Sequence, residues 1–307
     1  RSYYDSTPKK RDAVDQRPKE EQPGVGELRF DPLVNEWIAI SAHRQNRVFL
    51  PPKELCPLCP TKGDLLTEIP ESDFEVVVFD NRSPSLRPPT EDYALPDYAG
   101  PETDLAKAIG KCEVVCFTAD HGQSFCDLSE AQVRTLLEAW RDRTAELSQA
   151  PYIRHIAPFE NRGEEVGVTL NHPHGQIYAY PYIPPRVEKM LAKATEYLKK
   201  NGVPLLTDIV ARELKDEVRI VATNAHWIAY VPYAARYPFE IHIAPRKFVS
   251  DLAHLSDDVA DYFPEIAKEV LLRLDGVFGM DMAYIAAWHQ APVRIGRDAL
   301  GLHLQIT

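Results

Sequence analysis

Asn171-His172-Pro173-His174-Gly175-Gln176, with the apolar run Ile177-Tyr178-Ala179-Tyr180 behind it, is the stretch that decides the fold of this chain. In an extended backbone, side chains two positions apart point to the same face, so His172, His174 and Gln176 should project together. Pro173 restricts the backbone between the imidazoles and suits the start or edge of a strand. By itself such a pair is most simply a strand start with two surface histidines, so the rest of the chain has to decide its use.

Composition limits the classes of protein that the chain can belong to. Its 307 residues suffice for one large domain or two lobes. The net charge of −11 argues against nonspecific nucleic-acid binding, and an anionic substrate would have to be attracted by a few local arginines. We expect neither a signal peptide nor a membrane span, and the use of cysteine predicts a cytoplasmic protein.

Three stretches have helical periodicity. The first runs from Ser129 to Leu147, where Ser129 and Gln132 have capping-box spacing. The second covers Arg186–Lys200, and the third follows Ser256, with Pro264 expected to kink or break its first turn. Strands are predicted at Leu28–Phe30, Trp37–Ile40, Phe74–Phe79, Cys112–Phe117 and Tyr152–Ala157, with a loop over Phe159–Gly163.

An internal repeat relates the two halves of the sequence at an offset of about 130 residues. The clearest match is His174-Gly175-Gln176-Ile177 with His303-Leu304-Gln305-Ile306. We therefore predict an α+β fold in which two duplicated halves, 24–185 and 186–307, form a largely antiparallel sheet flanked by helices. Residues 1–23 are predicted to be a disordered polar tail. The second half lacks the His-Pro-His sequence, so the chemistry is expected in the first.

Cys56-Pro57-Leu58-Cys59 has the spacing of a metal knuckle. Two thiolates from one tight turn hold a tetrahedral Zn²⁺ when two further ligands are supplied, and His121 and His172 are the candidates. Because four protein ligands leave no open position, the zinc would be structural, and it would fix His174 through Pro173. A redox pair is the alternative, but no helix follows the knuckle directly.

His174 is then free to act as a nucleophile. A neutral imidazole can attack phosphorus and form a phosphoramidate, provided that its other nitrogen is held by a hydrogen bond. Gln176 can donate to the oxygens that gain negative charge, and Gly175 would let a ligand approach the backbone. Arg44 and Arg47 in a polar loop could clamp a diphosphate.

These motifs together resemble the galactose-1-phosphate uridylyltransferase family, a branch of the histidine-triad superfamily. The resemblance covers roughly residues 26–307 and is carried by five sequence elements. They are Ser41-Ala42-His43-Arg44 with Arg47, Cys56-x-x-Cys59 with Asp120-His121, Phe159-Glu160-Asn161-Arg162-Gly163, His172-Pro173-His174-Gly175-Gln176, and Trp288-His289-Gln290-Ala291-Pro292.

The resemblance implies a ping-pong transfer. UDP-glucose gives its uridylyl group to His174, glucose 1-phosphate leaves, and galactose 1-phosphate takes the group to form UDP-galactose. By motif position Gln176 stabilises the uridylyl-histidine, and Cys56, Cys59, His121 and His172 hold the metal. The positions implied to contact nucleotide, phosphate or sugar are Arg44, Arg47, Asn81, Arg82, Asn161, Gly167, Val168 and Thr169. The resemblance also implies a homodimer.

Some members of that family bind a second metal through a glutamate and three histidines. Here Gln305 replaces one histidine and Met190 stands where the glutamate is expected, so the second site is predicted to be absent or weak. Arg82-Ser83 stands where some relatives carry Asp-Phe, which keeps an alternative open: a nucleotidyltransferase or phosphorylase acting on ADP-sugars or dinucleoside polyphosphates. A noncatalytic zinc module is the alternative from another class of protein.

Overall fold

The computed structural model describes residues 1–18, 26–41, 50–89 and 104–307. The strands are β1 Ser2–Tyr4, β2 Glu27–Asp31, β3 Glu36–Ile40, β4 Val76–Asp80, β5 Leu105–Lys107, β6 Lys111–Cys116, β7 His155–Arg162, β8 His174–Tyr180, β9 Ile220–Thr223, β10 Trp227–Tyr230, β11 Ile241–Pro245, β12 Tyr284–His289 and β13 His303–Ile306. The helices are α1 Glu130–Leu147, α2 Pro185–Asn201, α3 Leu205–Asp216, α4 Asp257–Ala260 and α5 Phe263–Phe278.

The described strands form one ten-stranded sheet and one small sheet. The large sheet has the order β1-β4-β6-β8-β7-β12-β13-β11-β10-β9, and each neighbouring pair is antiparallel. The small sheet has the order β3-β2-β5. Strands from the first half of the chain meet strands from the second half where β7 pairs with β12. This architecture confirms the predicted α+β class with an antiparallel sheet.

Helices α1 and α5 cover one face of the large sheet. Leu136 and Leu137 of α1 and Val270 of α5 are fully buried in the main core. The helix α1 begins where its sequence predicts, because the Ser129 side chain accepts from the N–H of Gln132. The third predicted helix is divided into α4 and α5, with a proline in the first turn of α5, as expected of that residue.

The N-terminal residues correct the predicted disordered tail of residues 1–23. Ser2–Tyr4 forms β1 and pairs with Val76–Val78 at the edge of the large sheet. Beyond this strand, ion pairs hold the chain against the protein: Lys9 lies 2.8 Å from Asp73, and Arg17 lies 2.6 Å from Glu68. The charged residues that suggested disorder form ion pairs with acidic side chains that lie far away in sequence. Residues 19–25 lie outside the described chain.

The loop predicted at Phe159–Gly163 is also wrong, since β7 continues to Arg162. Pro158 lies within this strand, and β8 on one side and β12 on the other pair with the residues that follow it. Helix α3 and strands β9 to β11 lie in stretches for which the sequence predicts no element. None of the described helices has the length and apolar character needed to cross a lipid bilayer.

One buried histidine makes the stability of this fold depend on pH. Burial lowers the pKa of His155 to about 3, and its Nδ1 has no hydrogen-bond partner among the described residues. Between that value and about 6.5, the unfolded chain binds a proton that the folded chain does not, so stability is lost as pH falls through this window. We expect His155→Leu to flatten the slope of unfolding free energy between pH 6 and 4 by about 1.4 kcal/mol per pH unit. Urea denaturation at several pH values measures the slope, and equal slopes for variant and wild type would contradict this assignment.

Candidate active site

The strand β8 sets the direction of the histidine motif. Ile177 and Ala179 lie in the main core beneath α1. Because side chains alternate along a strand, His174, Gln176 and Tyr178 point to the opposite face of the sheet. The structure therefore puts the candidate nucleophile and the candidate amide donor on one face, two residues apart.

His174 is held at the first position of β8, where it pairs with Cys116 of β6. Its Nδ1 lies 2.7 Å from the carbonyl oxygen of His172 and donates to it. An imidazole that donates from Nδ1 carries its lone pair on Nε2. Burial lowers the pKa of His174, so the ring is neutral at neutral pH and Nε2 can act as a nucleophile.

Cys56, Cys59, His121 and His172 come together on this same face of the sheet. Their ligand atoms all lie within 4.8 Å of one another. The knuckle is a tight turn in which the N–H of Cys59 donates to the carbonyl of Cys56. A tetrahedral Zn²⁺ with usual bond lengths requires neighbouring ligand atoms about 3.3 to 3.8 Å apart. The Cys59 Sγ atom lies 3.5 Å from His121 Nδ1 and 3.6 Å from His172 Nδ1, which fits that geometry.

The tautomer of His172 also fits a metal ligand. Its Nε2 lies 2.8 Å from the carbonyl oxygen of Thr118 and donates to it, which leaves the Nδ1 lone pair for a metal. Burial lowers the pKa of His172 to about 4, while burial and the neighbouring Cys56 raise the pKa of Cys59 to about 11. A neutral imidazole is ready to coordinate, and a cation would supply the positive charge that a thiolate needs here. These four residues therefore form a site that can bind a metal ion.

The sequence alone does not identify Thr118 as part of this site. It acts through its backbone carbonyl, so its residue type carries no signal of this role. His172 and Thr118 are 54 positions apart, and they meet because the segment that follows β6 lies against the segment that precedes β8.

Two side-chain amides lie on the same face as His174. Asn81 follows β4, and its Nδ2 lies 3.4 Å from Oε1 of Gln176. Asn161 lies two residues after Phe159, which is paired with Gln176. The Oδ1 atom of Asn161 is buried and has no hydrogen-bond partner among the described residues.

The predicted contact residues 167–169 belong to the connection from β7 to β8. Gly167 adopts the left-handed conformation, with φ of 81°, that closes a short turn over Glu164–Val166. Val168 is buried, and the carbonyl of Thr169 accepts from the N–H of Leu50. This connection ends directly at His172 and His174.

Of the three arginines predicted to contact the substrate, the structure describes Arg82. Arg82 lies 3.8 Å from Glu68, an ion pair with the segment that the N-terminal residues also contact. Arg44 and Arg47 lie outside the described residues, as does part of the proline-rich loop after Pro88.

Gly175 has a different role from the predicted one. A Cβ at this position would lie 2.7 Å from the carbonyl oxygen of Phe159 and 3.0 Å from the ring of Phe117. Because Gly175 faces the helices, its missing side chain makes room for packing within the sheet and not for a ligand.

Comparisons with known proteins agree with this fold. The galactose-1-phosphate uridylyltransferase of Streptomyces lividans is 42% identical over 306 residues, which cover 97% of this chain and 80% of that protein. The enzyme of the same name from Thermotoga maritima is 39% identical, with 87% and 81% covered. A solved uridylyltransferase structure superposes with a TM-score of 0.79 at 33% identity, covering 91% of this chain and 85% of that one.

Together with these relatives, the fold defines a nucleotidyltransferase. Family models described as the N-terminal and C-terminal domains of galactose-1-phosphate uridyl transferase match residues 16–184 and 190–307. The chain belongs to the galactose-1-phosphate uridyl transferase family.

Proposed function

We propose that the protein transfers a uridylyl group from UDP-glucose to galactose 1-phosphate through a covalent intermediate on His174. The observation that carries the proposal is the 2.7 Å hydrogen bond from His174 Nδ1 to the His172 carbonyl, beside a cluster that can hold a metal. A histidine fixed in this tautomer presents Nε2, and only Nε2, as the attacking atom.

In the first half-reaction Nε2 attacks the α-phosphorus of UDP-glucose. A nitrogen–phosphorus bond forms, the bond to the bridging oxygen breaks, and glucose 1-phosphate leaves with that electron pair. The ring gains positive charge, which the hydrogen bond from Nδ1 to the His172 carbonyl stabilises. In the second half-reaction a phosphate oxygen of galactose 1-phosphate attacks phosphorus, and the pair returns to Nε2.

The remaining polar groups bind the substrate and stabilise its charge. Gln176 donates to a nonbridging oxygen of the α-phosphate, and Asn161 uses its unpartnered amide oxygen for the nucleotide or sugar. The other residues proposed to contact the substrate are Arg44, Arg47, Arg82, Gly167, Val168 and Thr169.

We propose zinc as the metal, held by Cys56, Cys59, His121 and His172. Zinc suits a donor set of two sulfurs and two nitrogens, and with four protein ligands it would be structural. Its contribution is to fix His172, whose carbonyl in turn fixes His174. A second metal is proposed to be absent: Gln305 donates to Glu240 and accepts from Arg186, which supports a hydrogen-bonded amide at that position.

We further propose a duplicated organisation with halves at 24–185 and 186–307, a cytoplasmic location and a homodimer. Reduced thiols, which the knuckle requires, support the location. Phe239 and Phe278 support the dimer, because both are exposed and their rings touch with centroids 5.5 Å apart. Sedimentation equilibrium that gives the mass of a monomer would contradict the dimer.

Isotope exchange tests the two-step mechanism. The protein is incubated with UDP-glucose and labelled glucose 1-phosphate, without galactose 1-phosphate. A covalent intermediate predicts label in UDP-glucose, whereas direct transfer between two bound substrates predicts none. A parallel incubation with ADP-glucose and labelled phosphate tests the alternative activity. Turnover in that incubation alone would contradict UDP-glucose as the substrate.

A further inference from the structure

We propose that Asn81 is a positioning residue, which holds the amide of Gln176 with its nitrogen turned toward the reacting phosphate. This inference rests on the proposed function. Asn81 then acts through another side chain, in place of the direct substrate contact that its sequence position implies.

The orientation follows from a hydrogen-bond chain whose first donor is unambiguous. The backbone N–H of Ser83 lies 2.9 Å from Oδ1 of Asn81, and a backbone N–H can only donate. Asn81 therefore presents its Nδ2 group to its other neighbour, which is Oε1 of Gln176 at 3.4 Å. Because that oxygen accepts from Asn81, Nε2 is the end of the Gln176 amide left to donate to a ligand.

Both ends of this chain are fixed to the sheet. The N–H of Asn81 donates to the carbonyl of Cys112 at 2.9 Å, where β4 ends. Gln176 is paired with Val114 of β6 on one side and with Phe159 of β7 on the other. Strands β4 and β8 lie on either side of β6, about 10 Å apart, and the two amides meet over β6. The backbone pairing of each residue limits how far its side chain can shift.

The orientation matters because the two ends of an amide have opposite effects on an anion. Nε2 pointing at the α-phosphate supplies a donor to an oxygen that gains charge, whereas Oε1 in that place repels it. Among the described residues, Asn81 is the hydrogen-bond partner that distinguishes these two rotations of Gln176. Without Asn81, the Gln176 amide would also adopt the other rotation, and it would stabilise the transition state less.

The test measures the single-turnover rate of uridylyl-enzyme formation and the KM for UDP-glucose in four variants. They are Asn81→Ala, Asn81→Asp, Gln176→Ala and the Asn81→Ala/Gln176→Ala double variant. We expect about a 10-fold loss of rate for Asn81→Ala and about a 100-fold loss for Gln176→Ala. Asn81→Asp should be slower than Asn81→Ala, because a carboxylate only accepts and would turn Nε2 away from the phosphate. The KM should change less than threefold in the Asn81 variants, and Asn201→Ala, at the exposed end of α2, is the matched control.

The double variant decides between positioning and direct contact. If Asn81 acts through Gln176, the double variant should be no slower than Gln176→Ala. Losses that multiply, or a rise in KM without a loss of rate, would overturn the positioning role. If the wild-type protein forms no uridylyl adduct, the proposed function itself fails, and this inference with it.

Discussion

Replacing His174 by alanine is expected to abolish uridylyl transfer, with a loss of about 10⁴-fold or more in kcat. The imidazole is the group that forms the bond to phosphorus in the proposed reaction, and its neighbours Gln176 and Asn161 carry amides that are not nucleophiles. Intact-mass spectrometry after incubation with UDP-glucose should show an added mass of about 306 Da on the wild-type protein and none on His174→Ala.

A second histidine variant controls for nonspecific effects of the substitution. His226 directly precedes β10 in the second half of the chain, and its Nε2 lies 3.5 Å from Asp258. His226→Ala should retain the adduct and the rate. An adduct that persists in folded His174→Ala would move the nucleophile elsewhere and end the proposal for this residue.

Loss of the metal cluster is expected to have the second-largest effect. Cys56 is 1% exposed, and Cys56→Ser removes one of the four ligands from a partly buried site. Structural zinc sites contribute about 10–16 kcal/mol to the folding free energy of small zinc peptides. Even a fraction of that free energy would stabilise a domain of this size measurably. We expect less than about 0.1 metal per chain and a melting temperature lower by about 10 °C.

Activity should fall when the metal is lost, because His172 is then no longer fixed and its carbonyl no longer holds Nδ1 of His174. A loss of about 10–100-fold in kcat is the range seen when the support of a functional group is removed. Cys126→Ser is the matched control, since Cys126 touches Asp275 and takes no part in the cluster. Full metal content in Cys56→Ser, measured by elemental analysis, would contradict the assigned ligands.

Much of the site was predicted from local sequence because its key parts are close together along the chain. Cys56 and Cys59 are three residues apart, and His172, His174 and Gln176 follow the two-residue period of a strand. The helix α1 was equally well marked by its capping residues and its apolar face. Such signals depend on neighbours in sequence, so no knowledge of the fold was needed to find them.

The predictions failed where a distant partner decides the conformation. Ser2–Tyr4 becomes a strand because Val76–Val78 offers it an open edge, and β7 continues past Pro158 because two strands pair with it. The role of Gly175 was misread for the same reason: the Phe117 ring that occupies the space beside it comes from another part of the sheet.

The sequence by itself determined which groups are candidates for the chemistry, namely a metal knuckle and a histidine two residues from a candidate ligand. Only the tertiary structure decided how those groups are oriented: the carbonyl of Thr118 selects the tautomer of His172, and Asn81 selects the rotation of the Gln176 amide. The reason is that a residue type fixes which atoms can donate, accept or attack. The direction of those atoms depends on hydrogen bonds from strands far away in sequence.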